Sequence, residues 1–434
     1  MKLFRSVCCL VLAAALTGCG PAPDPGPMLR PDDPLPPAPA TETTAEAPST
    51  EAPTEAPTKA PTETITEAPT EAVPVMAESL ARKMLAEMTL REKIGQLFIV
   101  RPDALDESIL PEDMDNSRGQ GVTALTDAMV EGLQKYPVGG VIFFDKNIES
   151  PDQVKAFTAD LQKAGTVPMF LSIDEEGGIV SRLANHLDFD LPIYDSAWDV
   201  FHHKGVDGAR DMGMAIGTYL QDYGFNMDFA PVADVWTNPK NHVIGSRAFS
   251  SDPWEAADAA RAMADGLMQH WVIPVYKHFP GHGNTKEDSH EGLAISRRTP
   301  EELEACEWIP FRQATRREAI MVGHVSLPKV TDSDVPATLS HTVVTGILKD
   351  QLGFEGLVVT DSMSMGAILR NYSTEDATLK ALRAGCHVIL MPYHLPQAFD
   401  AVAEAVESGE FPMEQLDEIV LKILEFKEYH HILK

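Results

Sequence analysis

Short apolar runs alternate with longer amphipathic stretches throughout residues 77–434, and this alternation restricts the possible folds more than any other feature. Eight of these runs could form strands: residues 94–100, 139–144, 168–174, 225–234, 272–279, 319–325, 356–362 and 387–392. Several are apolar throughout, such as Val141-Ile142-Phe143-Phe144, which is typical of parallel strands covered on both faces. The amphipathic segments between them indicate βα units, and eight such units predict a closed (β/α)8 barrel of the TIM type.

An open, doubly wound parallel sheet is the alternative arrangement of the same units. That fold often carries a glycine-rich dinucleotide-binding fingerprint directly after its first strand. No such fingerprint follows residues 94–100, and the barrel is therefore the favoured architecture.

The first 76 residues differ in composition from the rest of the chain. Residues 1–19 combine Lys2 and Arg5 with a short apolar stretch, as in an export signal. Residues 20–76 are rich in Pro, Thr, Glu and Ala and repeat Thr-Glu-Ala-Pro, which predicts a disordered, extended linker. We therefore expect a signal peptide, a linker and, over residues 77–434, a single barrel domain.

The predicted signal ends in Leu16-Thr17-Gly18-Cys19, which resembles the lipobox of bacterial lipoproteins. In that interpretation Cys19 becomes the lipid-modified N-terminus, and the protein is exported and anchored to the outer face of the cell membrane. The alternative is an ordinary secretory signal that is cut nearby, in which Cys19 has no role. Both interpretations predict an exported protein.

The chain has a net charge of −30 at neutral pH, and most of this charge falls in residues 77–434. Binding to nucleic acid phosphates needs a basic face, so the charge argues against nucleic acid as a partner. The barrel domain contains two cysteines, Cys306 and Cys386. Two are too few for a disulfide scaffold, and we expect both to be buried or free.

Ionisable residues lie at or near the ends of most of the apolar runs. They are Asp145, Asp174, Asp234, Lys277, His278, His324 and Asp361. In a (β/α)8 barrel the carboxyl ends of the strands meet at one face, where active sites lie. Capping of the following helices could explain any single acid. It does not explain Lys and His on the last turns of apolar strands, so the pattern predicts an active site at this face.

Asp361 directly follows the run Gly356-Leu357-Val358-Val359-Thr360. A carboxylate at the mouth of a dry barrel is placed to attack an electrophilic carbon. Retaining glycosidases need such a carboxylate to form a covalent glycosyl-enzyme. Asp361 is therefore the candidate nucleophile.

A glycine-rich segment follows the fifth run, with the sequence Lys277-His278-Phe279-Pro280-Gly281-His282-Gly283 and then Asp288-Ser289-His290. Its glycines and proline predict a loop over the barrel mouth. Asp288 lies two residues from His290 on that loop. An Asp near a His can orient the ring and raise its basicity, which suits proton transfer at neutral pH.

A zinc site is the alternative use of this segment, because His278, His282, Asp288 and His290 are all possible ligands. His278 and His282 have the spacing of a helical zincin motif. However, Pro280 and two glycines break any helix there, and no Glu follows His278. The sequence therefore favours a site without metal.

Two further segments combine acids with arginines. Asp174-Glu175-Glu176-Gly177-Gly178 precedes Arg182, and Gly245-Ser246-Arg247-Ala248-Phe249 precedes Asp252. Asp and Arg make charge-assisted hydrogen bonds to sugar hydroxyls. Either segment could equally form a surface ion pair, so neither defines a binding site alone.

Together these motifs resemble glycoside hydrolase family 3, and within it the single-domain β-N-acetylglucosaminidases of peptidoglycan turnover. The resemblance spans nearly all of residues 80–430, and its most specific part is the segment 277–290. Residues 226–235, with the sequence NMDFAPVADV, resemble the family's fourth-strand segment. Thr360-Asp361-Ser362-Met363 resembles its nucleophile segment.

The resemblance implies a role for each matching residue. Asp361 would be the nucleophile, His290 the general acid/base, and Asp288 the partner of His290. Five residues would hold the terminal sugar: Asp174, Arg182, Arg247, Lys277 and His278. The implied reaction is exo-acting, retaining hydrolysis of terminal β-linked N-acetylglucosamine, as in peptidoglycan fragments, through a covalent glycosyl-aspartate. No metal or organic cofactor is implied.

Two positions depart from the family pattern. Ile179 stands where the family often has Arg, and His387 stands where it often has Asp. Neither is assigned to catalysis, and both bear on subsite details and on the preferred leaving group.

Two alternative functions remain open from the sequence. A phosphorylase would transfer the same sugar to phosphate, since a His acid/base avoids repulsion between a carboxylate and the incoming anion. A non-catalytic, wall-binding lipoprotein would keep only a degenerate barrel, which the presence of Asp361, Asp288 and His290 argues against. The expected partners are a carbohydrate substrate and, through Cys19, a membrane, and we expect a monomer.

Overall fold

The computed structural model describes residues 79–114, 119, 121–286 and 292–434. The chain divides after Val73, and every described residue belongs to the second unit, Pro74–Lys434. The predicted export signal, the linker and the lipid anchor at Cys19 lie outside the described residues, and so do Asp288 and His290.

Eight parallel strands form the central sheet. In chain order they are β1 (Phe98–Val100), β2 (Gly140–Phe143), β3 (Phe170–Ile173), β4 (Met227–Asp228), β5 (Ile273–Phe279), β6 (Ala319–Val322), β7 (Leu357–Thr360) and β8 (Ile389–Leu390). Each strand from β1 to β6 pairs with the next along the chain, and β8 pairs with β1. A parallel bridge between Val359 and Val388 links β7 to the start of β8 and closes the ring. The predicted (β/α)8 architecture is confirmed.

All eight strands lie within the predicted apolar runs, but they are shorter than the runs, and in two cases a local signal explains the difference. Run 94–100 begins inside the helix Leu90–Gly95, because Thr89 and Glu92 form a capping box that starts this helix. In run 225–234 only Met227–Asp228 is regular strand. Pro231 follows it and has no N–H for a regular ladder.

Helices and short strands connect the barrel strands. The α-helices are Leu80–Glu87, Leu90–Gly95, Pro111–Met114, Asp127–Lys135, Pro151–Ala164, Ala197–Asp222, Pro253–Met268, Pro300–Glu304, Pro328–Thr331, Gly366–Leu369, Thr374–Ala384, Leu395–Glu407 and Met413–Tyr429. Shorter or wider helical turns are Pro102–Leu105, Asp145–Asn147, Gly245–Arg247, Pro310–Gln313, Ala337–Leu339 and Thr342–Gln351. Two small ribbons complete the fold: Glu175–Gly177 with Val180–Ser181, and Ala294–Ile295 with Val325–Ser326.

The helices Ala197–Asp222 and Pro253–Met268 pack together more closely than ordinary side chains would allow. A Cβ atom added at Gly213 would lie 2.2 Å from the carbonyl oxygen of Met263, so only glycine fits there. The buried face of Pro253–Met268 consists largely of alanine. Small residues on both helices thus bring the backbones into contact and fill this side of the core without voids.

A buried lysine closes the end of the barrel at which the strands begin. The Nζ atom of Lys427 donates to Oε1 of Gln96 at 2.8 Å and to the carbonyl oxygen of Gly139 at 2.9 Å. It also lies 4.7 Å from the ring centre of Phe170, close enough for a cation–π contact. Burial disfavours the charged form and lowers the pKa of Lys427 to about 7.

The neighbouring residue, Glu428, joins the last described helix to the first. Its carboxylate accepts hydrogen bonds from the backbone N–H groups of Leu80 and Ala81, at 3.0 and 3.1 Å. A carboxylate in this position satisfies N–H groups that have no partner within the helix Leu80–Glu87 and complements its dipole. Both ends of the described domain therefore meet near the end of the barrel that Lys427 closes.

Both cysteines of the barrel domain are free thiols, as the sequence predicted. Cys386 is buried and Cys306 is half-buried. Over the described residues, none of the helices has the length and apolarity that crossing a bilayer would require.

Candidate active site

The carboxyl ends of the barrel strands surround a cavity of about 520 Å³. It is lined by all six of the predicted site residues that the structure describes: Asp174, Arg182, Arg247, Lys277, His278 and Asp361. Glu176 and His282 line it as well. A concave pocket of this size, in which polar groups converge among apolar ones, is the usual form of a small-molecule site.

Asp361 follows β7, and two backbone contacts orient it. Its Oδ1 atom accepts a hydrogen bond from the N–H of Ser362 at 2.7 Å. Its own N–H donates to the carbonyl oxygen of Val322, at the end of β6, at 2.9 Å. The carboxylate is thus held on a rigid strand end at the cavity wall, which suits a nucleophile that must meet one carbon atom.

His324 supports the backbone next to Asp361. Its Nε2 atom lies 2.8 Å from the carbonyl oxygen of Ser362, and its Nδ1 atom lies 2.8 Å from Oγ1 of Thr338. A carbonyl oxygen can only accept, so Nε2 carries the hydrogen and donates it to Ser362. The buried ring of His324 therefore fixes the carbonyl group of Ser362, the residue after Asp361, and does not line the cavity.

Two acids and two bases form a largely buried cluster in the cavity lining. Nζ of Lys277 lies 2.7 Å from Oδ1 of Asp174 and 2.6 Å from Oε1 of Glu176. Arg247 binds both oxygens of Glu176 through Nε and Nη2, each at 2.7 Å. This two-point contact is the strongest geometry available to an arginine and a carboxylate.

The cluster keeps its members charged. Burial alone would raise the pKa of Glu176, but Arg247 and Lys277 outweigh burial and hold this pKa well below its ordinary value. Burial would lower the pKa of Lys277, but Asp174 and Glu176 raise it above its ordinary value. The pKa of Arg247 is raised for the same reason, against burial, by Glu176. The cavity therefore presents fixed charges to a ligand at neutral pH.

Arg182 reaches the cavity from the small hairpin that follows β3. Its guanidinium lies 3.2 Å from Oδ2 of Asp145 and 3.9 Å from Oδ2 of Asp174, and it covers the ring of Phe144. The side chain of Asp145 is largely exposed, so its ion pair with Arg182 contributes little to stability. These contacts instead hold the guanidinium at the rim of the cavity.

Glu175 fixes the hairpin that carries Arg182. Its carboxylate is buried and accepts hydrogen bonds from the N–H groups of Leu183 and Ala184, both at 3.0 Å, and from the hydroxyl of Tyr219 at 2.9 Å. Burial raises the pKa of Glu175, although these three donors oppose the rise. Glu175 therefore positions the backbone after Arg182 and is not part of the cavity lining.

A buried carboxylate, Asp234, orients both histidines of the glycine-rich segment. Nδ1 of His278 lies 2.7 Å from Oδ2 of Asp234, and the backbone N–H of His282 donates to Oδ1 at 2.6 Å. Burial would raise the pKa of Asp234, but His278 outweighs this effect and lowers it. An ionised Asp234 accepts from Nδ1–H, and this contact sets the tautomer and direction of the His278 ring.

Side chains also tie the chain after His282 to the barrel mouth. Oγ1 of Thr285 lies 2.9 Å from Nδ1 of His282, and Nδ2 of Asn238 donates to the carbonyl oxygen of Thr285 at 2.7 Å. Asp288 and His290 follow Thr285 within five residues but lie outside the described residues. Their roles stay predictions.

Within residues 79–114, 119, 121–286 and 292–434, no three His, Cys, Asp or Glu side chains are arranged to hold a metal ion. Of the four zinc ligands considered from the sequence, His278 and His282 are described, and Asp234 contacts both of them. The other two lie outside these residues.

The two departures from the family pattern lie in different parts of the barrel. Ile179 is 73% exposed at the tip of the hairpin, next to Val180, which lines the cavity. His387 lies before β8, accepts the N–H of Val358 on Nδ1 at 2.9 Å and contacts Nζ of Lys349 through Nε2. Burial, with help from Lys349, holds the pKa of His387 well below its ordinary value. Neither residue is part of the cavity lining.

Two residues of the site received no role from the sequence. Glu176 binds two cations in the cavity lining, and Asp234 holds the two histidines. Asp234 ends the fourth apolar run as Asp361 ends the seventh, so its position was a usable signal. Glu176 is one of three consecutive acids, and nothing in the sequence marks which of them faces the cavity.

Comparison with known proteins identifies the family. The glycosyl hydrolase family 3 N-terminal domain matches residues 89–426. The chain belongs to glycoside hydrolase family 3. The resemblance that the sequence motifs indicated, and the enzyme class that it implied, are thereby confirmed.

Two curated relatives illustrate the similarity. The chain is 30% identical to beta-hexosaminidase A of Pseudoalteromonas piscicida over 333 residues, which cover 70% of this chain but only 56% of that protein. It is 34% identical to beta-hexosaminidase LpqI of Mycobacterium tuberculosis over 356 residues, which cover 79% of this chain and 84% of that protein.

Solved structures of family 3 share the fold. A family 3 beta-N-acetylglucosaminidase from Paenibacillus sp. FPU-7 superposes with a TM-score of 0.71 at 33% identity, covering 80% of this chain and 63% of that one. M. tuberculosis LpqI superposes with a TM-score of 0.68 at 30% identity, covering 80% of this chain and 96% of that one.

Proposed function

We propose that this family 3 protein is an exo-acting, retaining β-N-acetylglucosaminidase that removes terminal, non-reducing β-linked N-acetylglucosamine. One observation carries the proposal: Asp361 and the charged cluster of Asp174, Glu176, Arg247 and Lys277 line a single cavity of about 520 Å³ at the barrel mouth. Such a cavity suits one terminal sugar unit with the rest of the glycan outside.

The reaction needs a nucleophile and a proton donor on either side of the anomeric carbon. Asp361 attacks that carbon while His290 gives its proton to the departing glycosidic oxygen, and the bond between this carbon and oxygen breaks. His290 then takes a proton from water, and the water oxygen displaces Asp361 from the glycosyl–enzyme. Two displacements at one carbon return the original β configuration. In this proposal Asp288 orients His290, and no metal or organic cofactor takes part.

The remaining residues hold the sugar. Asp174, Arg182, Arg247 and Lys277 present charged donors and acceptors at the cavity, and such groups make short hydrogen bonds to hydroxyls; His278 adds an imidazole. The cluster pairs two acids with two bases, so it can bind a neutral sugar without leaving an uncompensated charge. A preorganised set of this kind does not have to reorganise during the reaction.

The proposed site of action is the cell envelope. Cys19 would carry the lipid anchor, residues 20–76 would act as a tether, and the substrate would be wall-derived glycan fragments. The support for this location is the lipobox-like Leu16-Thr17-Gly18-Cys19 and the composition of the segment that follows it. Labelling with a radioactive fatty acid, lost in Cys19→Ala, tests the anchor.

Hydrolysis of an aryl N-acetyl-β-glucosaminide tests the activity. Asp361→Ala should abolish turnover, and His290→Ala should lower it by about 10²–10⁴-fold. The matched control is Asp258→Asn, which removes an exposed acid on an outer helix and should leave the rate unchanged. Equal rates in the wild type and Asp361→Ala would end the proposal.

The same assay distinguishes the two other functions. A rate that rises with added phosphate, together with sugar 1-phosphate as product, would replace hydrolysis by phosphorolysis. Binding of the glycoside without any turnover would replace the enzyme by a wall-binding protein. Product analysis on purified muropeptides and on chitobiose then identifies the preferred substrate.

A further inference from the structure

A second cavity lies at the opposite end of the barrel, where the strands begin, and its volume is about 750 Å³. Pro168, Phe225 and Trp271, which precede β3, β4 and β5, line one part of it. Residues after the last helix, including His431 and Lys434, line the other part. Active sites of such barrels lie at the other face, and the proposed reaction leaves this cavity unused.

Two aromatic residues of this cavity have a left-handed backbone conformation. Trp271 has a φ angle of 59°, and His431 has a φ angle of 57°. They come shortly after the helices Pro253–Met268 and Met413–Tyr429 end. Glycine is strongly preferred for a left-handed residue at this place, because the conformation costs free energy for every other L-residue. Stability alone would therefore favour glycine at both positions.

The two rings meet in the cavity. They lie edge to face with their centroids 4.6 Å apart, yet Trp271 remains 53% exposed. The described part of the chain has four non-glycine residues with positive φ. Besides Trp271 and His431 they include Met391, which lines the active-site cavity. Residues in sparsely populated conformations cluster at functional sites. The placement of the exposed Trp271 ring points to a ligand.

The other lining groups indicate the chemistry of that ligand. Among the described residues that line the cavity there is no Asp or Glu, although the chain contains 65 of them. Gln221 provides a neutral amide, His270 an imidazole and Lys434 an amine. His430 is also neutral at pH 7, because burial lowers its pKa to about 4.

A sugar fits this combination of groups. The face of an indole ring carries negative charge density, which attracts the C–H groups on the face of a pyranose. Neutral amide and imidazole groups beside the ring can then bond the hydroxyl and acetamido groups at its edge. A nucleic acid would need a basic surface, which an acidic chain does not offer.

We propose that this cavity binds a polymer of β-linked N-acetylglucosamine, with Trp271 as the stacking platform. The identity of the sugar rests on the proposed function. Because the two cavities open at opposite ends of the barrel, the polymer bound here would leave the mouth free for another chain end. The site would thus raise the residence time of the enzyme on an insoluble glycan.

A depletion isotherm on insoluble chitin tests the site. The parent is the full chain carrying Asp361→Asn, so that the polymer is not cleaved. Trp271→Gly removes the platform and substitutes the residue that this backbone conformation favours, so the thermal midpoint should stay within about 3 °C of the parent. The affinity for chitin should fall about tenfold, the usual worth of one aromatic stacking contact.

Trp254→Ala is the matched control, since Trp254 is 62% exposed and lines neither cavity. Its isotherm should equal that of the parent. The proposal is overturned if the parent does not bind chitin, or if Trp271→Gly binds as tightly as the parent. Binding is measured without turnover, so the two proposals fail separately. If the wild type showed no glycosidase activity while Trp271→Gly still lost its binding to chitin, only the proposed function would be contradicted.

Discussion

Replacing Glu176 by glutamine tests the buried charge cluster more directly than any other single change. Glu176→Gln keeps the shape of the side chain but removes its charge. Lys277 would keep Asp174 as an anionic partner, at 2.7 Å. Of its present hydrogen-bond acceptors, Arg247 would keep only the carbonyl oxygen of Val243, at 2.9 Å. The substitution therefore leaves one buried cation without a countercharge.

The size of the effect follows from this loss. Removing one partner of a buried ion pair costs about 3–5 kcal/mol, because the remaining charge is neither solvated nor compensated. The new amide adds to this cost, because its NH₂ group must face one of the two N–H donors of Arg247 that now bind the carboxylate. We expect the free energy of unfolding at pH 7 to fall by about 3–5 kcal/mol, a large part of the stability of a typical domain.

Urea unfolding followed by circular dichroism measures this difference, and its pH dependence has a definite sign. The folded pKa of Glu176 lies well below the unfolded value of 4.5. The ionised carboxylate therefore stabilises the wild type fully above about pH 5. As the pH falls below 4.5 the unfolded wild type takes up a proton that the folded state does not, and its advantage over Glu176→Gln should shrink.

Glu425→Gln serves as the control. Glu425 pairs with Arg82 at 3.5 Å, and the two side chains are 45% and 58% exposed. Such a pair should contribute less than about 1 kcal/mol. If Glu176→Gln cost no more than this control, or if its cost were the same at pH 3.5 and pH 7, the account of the cluster would be refuted.

Three further predictions concern other parts of the barrel. The pKa of Lys427 is about 7 in the folded protein and 10.5 in the unfolded chain, so between these values the unfolded chain binds more protons. The free energy of unfolding of the wild type should therefore rise relative to that of Lys427→Met as the pH increases from about 7 to 10.5. Gly283→Ala should reduce glycosidase activity at least tenfold. The added Cβ would lie 1.9 Å from the carbonyl oxygen of Val235, so the backbone around Gly283 would have to move. His324→Leu should lower kcat about tenfold or more with a smaller change in KM, because the carbonyl of Ser362, the residue after Asp361, loses its hydrogen bond.

Each of these has a clear contrary result. Parallel stability–pH curves for the wild type and Lys427→Met would show that the lysine does not titrate in this range. Wild-type activity in Gly283→Ala would show that the backbone near Gly283 can move without affecting the active site. Gly346→Ala is the control for that change, because the Cβ added there would lie 4.0 Å from the carbonyl oxygen of His341, an ordinary van der Waals contact. A rise in KM alone in His324→Leu would place His324 in sugar binding rather than in positioning.

The fold was accessible from the sequence because its signal is local. Each barrel strand is a short apolar run between amphipathic segments, and periodicity alone locates it. The strand ends followed from the same pattern because parallel strands end at one face, and four of the strand-end residues line the cavity: Asp174, Lys277, His278 and Asp361. Boundaries were less accurate where a second local signal competed, as at the capping box that extends a helix to Gly95.

Side-chain direction at the site was not accessible. Glu175 and Glu176 are both buried, yet the first bonds the backbone after Arg182 and the second binds Arg247, which lies 71 residues further along the chain. The choice between them depends on the local geometry of the hairpin after β3. Likewise, the cavity containing Trp271 depends on two distant helix ends that meet in space, and no motif marks such a meeting.

The bonds from Glu428 to the first turn of Leu80–Glu87 have a practical consequence for immobilised preparations. A spacer or solid support that is coupled ahead of Ser79 joins the barrel near the end that Lys427 closes. Coupled molecules therefore present their mouths outward, away from the carrier. A dense layer of such molecules should keep nearly all of its specific activity toward dissolved glycosides, whereas random coupling through surface lysines should not.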